Sequence, residues 1–499
     1  MGCSPVLIGP KIPGRVTATA LRLSIDPSDV ANPMRLSFTT LAALYGVTLT
    51  AVALGESSPV NTIVGISFLI NLVVVPFVMA IHVAQGRVTS ALVHLLGIWL
   101  MLCIAPFTAF LNGRFASYDF FNLAFSDELI VTANALILLW VVCFHVSYLT
   151  VHRKVSGSAR SSRISAYGIW LQIVFAFWSL TYIYETVGLG VLTRKGFEEA
   201  VTGDTTAEIV LLFGPVRMAS IFALVAGTWY LVRAKGRPYV RLVMSAVLLM
   251  LAIGTAAINN PIAAPRYFIG SVGIGFTFLI WLRNGKRAIH FVVLMLAAVL
   301  LLFPIDLGRY SANLLDALSD IVFSPGSGFR QDNFRTYETI IAALYFVGKW
   351  GSVYGMQLLG NILFFVPRSV WESKPLGTGA FLAQTFGESF TNISCPLQCE
   401  ALVNFGVIGV PVSAIAFGWL LQRLDGWYWR QRPLSNGGVT APLLIYPFLL
   451  GSVFFLTRGD LLSPLAYSVT MALGAVPLFL GTIFERWLKR GIGIDHRFV

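Results

Sequence analysis

Apolar runs of bilayer length recur along this chain, separated by short polar gaps. A helix that crosses a membrane needs about 20 predominantly apolar residues. On that template twelve segments stand out, near 37–54, 61–81, 91–111, 129–150, 166–184, 209–232, 242–258, 267–282, 288–305, 401–421, 440–457 and 461–485. The pattern predicts an all-α polytopic membrane protein of about twelve transmembrane helices. Between the ninth and tenth segments, 306–400 is too long for a plain connection and is not polar throughout. Its stretches Tyr337–Lys349 and Met356–Val366 read as short amphipathic helices that lie along the membrane or re-enter it, closing a cavity against the bundle. No soluble domain, low-complexity tract or internal repeat is visible. Residues 1–499 therefore read as one membrane domain, with 306–400 as a large loop within it.

Charge orients this scheme. The N-terminal arm, the gaps at 82–90, 151–165, 233–241, 283–287 and 422–439, and the C-terminal tail together carry 23 of the 35 basic residues. The alternate gaps carry 11, six of them within 306–400, and Arg217 lies inside a predicted helix. Positive-inside counting puts both termini in the cytoplasm and 306–400 on the outer, periplasmic face. No apolar stretch of signal-peptide length precedes the first segment, and Val6 stands where a myristoylation motif has Ser or Thr.

Composition agrees. A hydrophobic fraction of 56% with 12% charged residues leaves too little charge to cover a soluble globular surface, which carries about twice as much. The net charge of +12 argues for topology and anionic headgroups rather than nucleic acid, because the excess sits in short cytoplasmic loops. Of the five cysteines, Cys103 and Cys143 fall in predicted spans as small apolar side chains. Cys395 and Cys399 fall in the outer loop, where they form a disulfide if the local turn brings their Cα atoms within about 7 Å, and otherwise remain two thiols. His82, His94, His145, His152, His290 and His496 lie in spans or on the cytoplasmic side, so none joins these cysteines in a metal site.

The outer face is where chemistry is expected. Arg266, Arg309, Tyr310, the run from Phe329 to Arg335, Arg368, Trp371, Lys374, Glu388, Asn392, Glu400 and the Arg458-Gly459-Asp460 turn all map there. Positive-inside statistics disfavour basic residues in short outer loops, and a polyanion at headgroup depth explains them. Arginine suits a lipid-linked diphosphate because its planar fork donates two parallel hydrogen bonds and its charge does not titrate. Arg217 is a separate case. A bend at Gly214-Pro215 lifts it toward the phosphate site, or it pairs with Glu185.

The stretch from Arg330 to Gly409 resembles the Wzy-type polymerases of undecaprenyl-diphosphate-linked repeat units. The resemblance is carried by Asp332 in an aromatic-flanked polar run and by Leu363-Phe364-Phe365-Val366-Pro367-Arg368 with Trp371, Lys374 and Pro375. Gly377-Thr378-Gly379, Phe386-Gly387-Glu388, Asn392, Glu400, Asn404-Phe405-Gly406 and Gly409 complete it. It covers roughly 80 of 499 residues in detail. It implies a bundle like those of membrane glycosyltransferases, and metal-independent glycosyl transfer without a cofactor. The implied substrate is an undecaprenyl-diphosphate-linked oligosaccharide in the bilayer of a bacterial inner membrane, and a chain-length regulator is a conceivable protein partner.

Such a reaction needs a departing diphosphate to be stabilised and a proton to be taken from the attacking sugar hydroxyl. Arg266, Arg335, Arg368, Lys374 and Arg458, with Arg217 as an outside candidate, are the expected diphosphate ligands. Glu400, ahead of Glu388 and Asp332, is the expected base, against the alternative that it only complements a helix N-terminus. Tyr310, Trp371 and Asn392 are the expected glycan contacts. The rival readings are an O-antigen ligase of the same fold and a transporter or flippase of lipid-linked oligosaccharide. Transporters tend to show repeated halves with broken helices and midplane polar sites. Apart from Arg217 and Glu185, little charge lies at depth here.

Overall fold

The computed structural model describes residues 61–113, 115, 121, 123–152, 163–192, 206–233, 238–260, 266–283, 288–296, 335–431 and 439–491. Among them the chain is helical throughout and contains no strand. The helices are α1 (Thr62–Ala84), α2 (Ser90–Leu111), α3 (Asp127–His152), α4 (Ala166–Val187), α5 (Thr206–Arg233), α6 (Pro238–Ile258) and α7 (Arg266–Arg283). They continue with α8 (288–296), α9 (Thr336–Trp350), α10 (Met356–Ile362), α11 (Thr378–Thr385), α12 (Leu397–Gln431), α13 (Ala441–Phe455), α14 (Leu462–Gly474) and α15 (Val476–Gly491).

Eight membrane-length apolar helices, not twelve, are found among the described residues: α1 to α6, α12, and α14 with α15 taken together. One of the predicted spans falls short, since α13 ends at Phe455, whereas α7 (Arg266–Arg283) covers the whole of the span expected at 267–282. At about 1.5 Å per residue, the 15 residues of α13 rise roughly 22 Å, less than the ~30 Å hydrocarbon core. Its C-terminus tightens into a turn, in which Leu456, Thr457 and Arg458 N–H groups bond the Ser452, Phe454 and Phe455 carbonyls. The span expected at 440–457 therefore overran the end of the helix only by Leu456 and Thr457, which belong to this turn. The predicted span at 37–54, and residues 297–334 with Arg309, Tyr310 and Asp332, lie outside the described residues.

Two apolar cores share α7 and α13. The larger packs α1, α2, α3, α9 and α12, and the smaller packs α4, α5, α6, α14 and α15. Helix α2 is the centre of the larger core, and the spanning part of it is entirely buried. A π-helical stretch at Trp99–Ile104 interrupts it just before Pro106. Proline lacks an N–H and crowds the carbonyl four residues back, and a locally wider turn relieves both problems. Helix α9 coincides with the amphipathic helix expected at Tyr337–Lys349, and its apolar face inserts into the bundle, with Tyr337, Ile340 and Ile341 fully buried. The Tyr337 hydroxyl donates to the Ile130 carbonyl and Asn134 Oδ1 of α3.

The two ends of the bundle are closed by different polar clusters. At one end Asp425 of α12 accepts from the Ser90 N–H and from the Tyr148 and Tyr446 hydroxyls, tying α2, α3, α12 and α13 together. The other end carries the start of α1 and α3, the helices of 335–400 and the turn after α13. The candidate site lies at this second end.

Candidate functional site

Glu400 sits in the first turn of α12 and is buried. Four contacts converge on its carboxylate. The Asn361 amide of α10 donates to both oxygens at 3.3 Å, the Thr378 hydroxyl of α11 donates to Oε2 at 2.6 Å, and the Leu461 N–H donates to Oε1 at 2.9 Å. One side chain therefore joins four pieces of chain, and donors occupy both of its carboxylate oxygens.

A kink makes this convergence possible. Within α12, Gly406 adopts φ 68°, ψ −163°, a region open in practice only to glycine. The kink withdraws helical partners from the carbonyls just before it. Val403 and Asn404 carbonyls instead accept the N–H groups of Val353 and Gly355 at 2.9 and 3.0 Å. The Asn404 amide adds a second link, accepting from Leu358 N–H and donating to the Glu400 carbonyl. These bonds seat the start of α10 against α12, so that Asn361 reaches Glu400.

The loop between Asn361 and Thr378 thus has both ends on Glu400, and it carries the Phe-Phe-Val-Pro-Arg…Trp…Lys-Pro string. Lys374 Nζ donates to the Phe364 and Val366 carbonyls at 2.6 and 2.9 Å, and Arg368 Nη1 donates to the Lys374 carbonyl at 2.8 Å. Part of the donor capacity of these two expected diphosphate ligands is spent folding their own loop. The half-exposed Arg368 keeps its other guanidinium N–H groups free of partners among the described residues. Phe364 packs with Ala466 and Leu462 onto α14, whose Tyr467 acts electrostatically on buried Arg217. Arg217 is thus buried near Tyr467 of α14, while Glu185 faces outward.

The turn after α13 completes the site. Arg458, half-buried, stands two residues before Asp460, whose Oδ1 accepts the Ser463 N–H at 3.3 Å. Burial pushes the Asp460 carboxyl above the usual carboxylate range, partly offset by Ser463. Gly377 lies so close to Asp460 Oδ2 that a Cβ would collide with it. At Gly379 a Cβ would collide with the Ile393 carbonyl. Close approach to backbone thus requires glycine at 379, whereas a side chain at 377 would push the Asp460 carboxylate aside.

Other expected site residues fall elsewhere. Glu388 is half-exposed on the turn after α11, and its Oε1 accepts the Phe121 N–H, away from the Glu400 cluster. Asn392 is exposed and Trp371 half-buried. Arg335 is the N-cap residue of α9. Arg266 opens α7, and its side chain lies outside the described residues. Cys395 and Cys399 are disulfide-bonded with Cα atoms 5.5 Å apart, immediately before Glu400. Among the described residues no cluster of His, Cys, Asp and Glu could hold a metal ion. Asn361 and the Leu461 N–H are site groups that the sequence did not single out, and Thr378 and Asp460 were named there without a role in the site. The nearest signal was an isolated Asn in the apolar helix at Met356–Val366.

Comparison with protein-family models, with curated proteins and with solved structures returns no match.

Proposed function

We propose that this chain is a membrane glycosyltransferase that polymerises undecaprenyl-diphosphate-linked oligosaccharide repeat units on the periplasmic face of a bacterial inner membrane. The observation that carries this reading is the loop 362–377. The string through which the sequence resembles Wzy-type polymerases folds as one cationic loop with both ends hydrogen-bonded to a single buried carboxylate. Such a loop offers a guanidinium fork to a diphosphate beside carboxylates able to manage a proton. The Cys395–Cys399 disulfide fits an oxidising compartment, which is where the charge pattern puts this end of the bundle.

Orientation is checked with reporter fusions. Alkaline phosphatase fused after Asn392 is expected to be active, and fusions after Ser158, Asn284 or Gly437 inactive. Activity at Ser158 would invert the faces.

Function is checked by deletion and complementation. Cells lacking the protein are expected to carry single-repeat glycan and to accumulate lipid-linked repeat units, and the parent gene to restore long chains. Arg368→Lys keeps the charge and loses the fork, so turnover is expected to fall about tenfold or more, equivalent to about 1.4 kcal/mol. Arg114 and Arg194, which read as ordinary loop residues, serve as controls with little expected effect. Equal losses at all three positions in normally inserted protein would defeat a localised diphosphate site.

A further inference from the structure

The site holds two carboxylates, and their oxygens are not equivalent. All four contacts at Glu400 are donors from the protein itself, and they fill both oxygens. An acceptor in that state has no lone pair left for a substrate hydroxyl. Asp460 is different. It is half-buried, and among the described residues only Ser463 donates to it. Its Oδ2 packs against the Cα of Gly377, and among the described residues no hydrogen-bond donor reaches it. The two residues are linked in order: Glu400 holds the Leu461 N–H, and Asp460 is the residue before Leu461.

We propose that Asp460 is the catalytic base of this site, and that Glu400 is a positioning residue that holds the Asp460 turn against α11 and α12. The inference rests on the glycosyl-transfer reading above. The acceptor sugar hydroxyl oxygen forms the new bond to the anomeric carbon of the donor glycan. The bond from that carbon to the diphosphate oxygen breaks, and the diphosphate leaves with the bonding pair. The hydroxyl proton passes to Asp460, which later releases it to water. The charged neighbours of Asp460 are Glu400 on α12, which is electrostatically coupled to it, and Arg458 on its own turn. A base held above the ordinary carboxylate range lies nearer the working pH, where proton acceptance is most effective.

The test uses membrane vesicles containing the full chain, with lipid-linked repeat units extracted from the deletion strain as the probe. Asp460→Asn is expected to lose about 10²–10⁴-fold in polymer formation at normal membrane level. Added formate is expected to restore part of the activity of Asp460→Ala and none to Glu400→Gln. Parent activity is expected to fall as pH drops through the raised Asp460 pKa, and Asp460→Glu to keep that acid limb. An Asp460→Asn chain within tenfold of the parent overturns the proposal. So does an Asp460→Ala chain that is inactive and indifferent to formate while Asp460→Glu loses the acid limb. If Asp460→Asn does not accumulate, the formate and Asp460→Glu arms decide. A parent chain that makes no polymer from these units fails the glycosyl-transfer reading itself, separately from the choice of base.

Discussion

Glu400→Ala is expected to abolish polymer and to lower the melting temperature of the detergent-purified chain more than any other single change at this end of the bundle. Removing the carboxylate leaves the Leu461 N–H, the Thr378 hydroxyl and the Asn361 amide without their acceptor in a buried setting. Each orphaned donor costs about 1–3 kcal/mol, and the emptied volume adds to that. The sum is a sizeable part of the ~5–15 kcal/mol that holds a typical fold. Glu400→Gln is the graded comparison. Its carbonyl can still accept from Leu461, and the Thr378 hydroxyl can turn to accept from the new amide, so the stability loss shrinks to about one orphaned contact. Product is still expected to vanish and lipid-linked units to accumulate, because the turn carrying Asp460 shifts. A Glu400→Ala chain with unchanged melting and full-length polymer would show that these four hydrogen bonds position nothing.

At the opposite end of α12, Asp425→Ala is expected to be comparably destabilising without touching the chemistry. Asp425 accepts from the Tyr148 and Tyr446 hydroxyls at 2.6 Å each and from the Ser90 N–H at 2.9 Å, and it is buried. The Ser90 N–H belongs to the first turn of α2, where a carboxylate also meets the positive end of the helix dipole. Three donors lose their acceptor, again about 1–3 kcal/mol apiece. Asp425→Asn is expected to recover much of the loss, since a tyrosine hydroxyl can accept as well as donate. The measurement is melting temperature together with the chain-length distribution of polymer made per inserted protein. A selective loss of long chains in Asp425→Ala, with melting unchanged, would move function to this end and sink the structural assignment.

The hydrophobic pattern already contained the helical membrane architecture and the position of α9. Crossing a bilayer requires only a run of apolar residues of sufficient length, and that property is local in the chain. The amphipathic character of Tyr337–Lys349 was legible for the same reason, and Glu400 drew notice because a carboxylate beside an apolar span is conspicuous. The polar run Thr457-Arg458-Gly459-Asp460 already marked a turn after α13, and the helix stops two residues before the expected 457, where hydrogen bonds fold back on Phe455.

Sequence alone determined that this chain is a bundle of membrane-length apolar helices, with a cationic, cysteine-bearing segment inserted late in the chain. The tertiary structure decided which groups meet. Glu400 lies 39 residues from Asn361 and 61 from Leu461, and Asp425 lies 335 from Ser90. A hydrogen bond depends on an approach of about 3 Å and on lone-pair direction, and neither quantity is written in residue type or spacing. Lys374 and Arg368 show the same limit, since their charge was legible and the carbonyls they hold were not. The bend at Gly406 converts one into the other, because a single left-handed glycine frees two carbonyls and so determines which helix can approach Glu400.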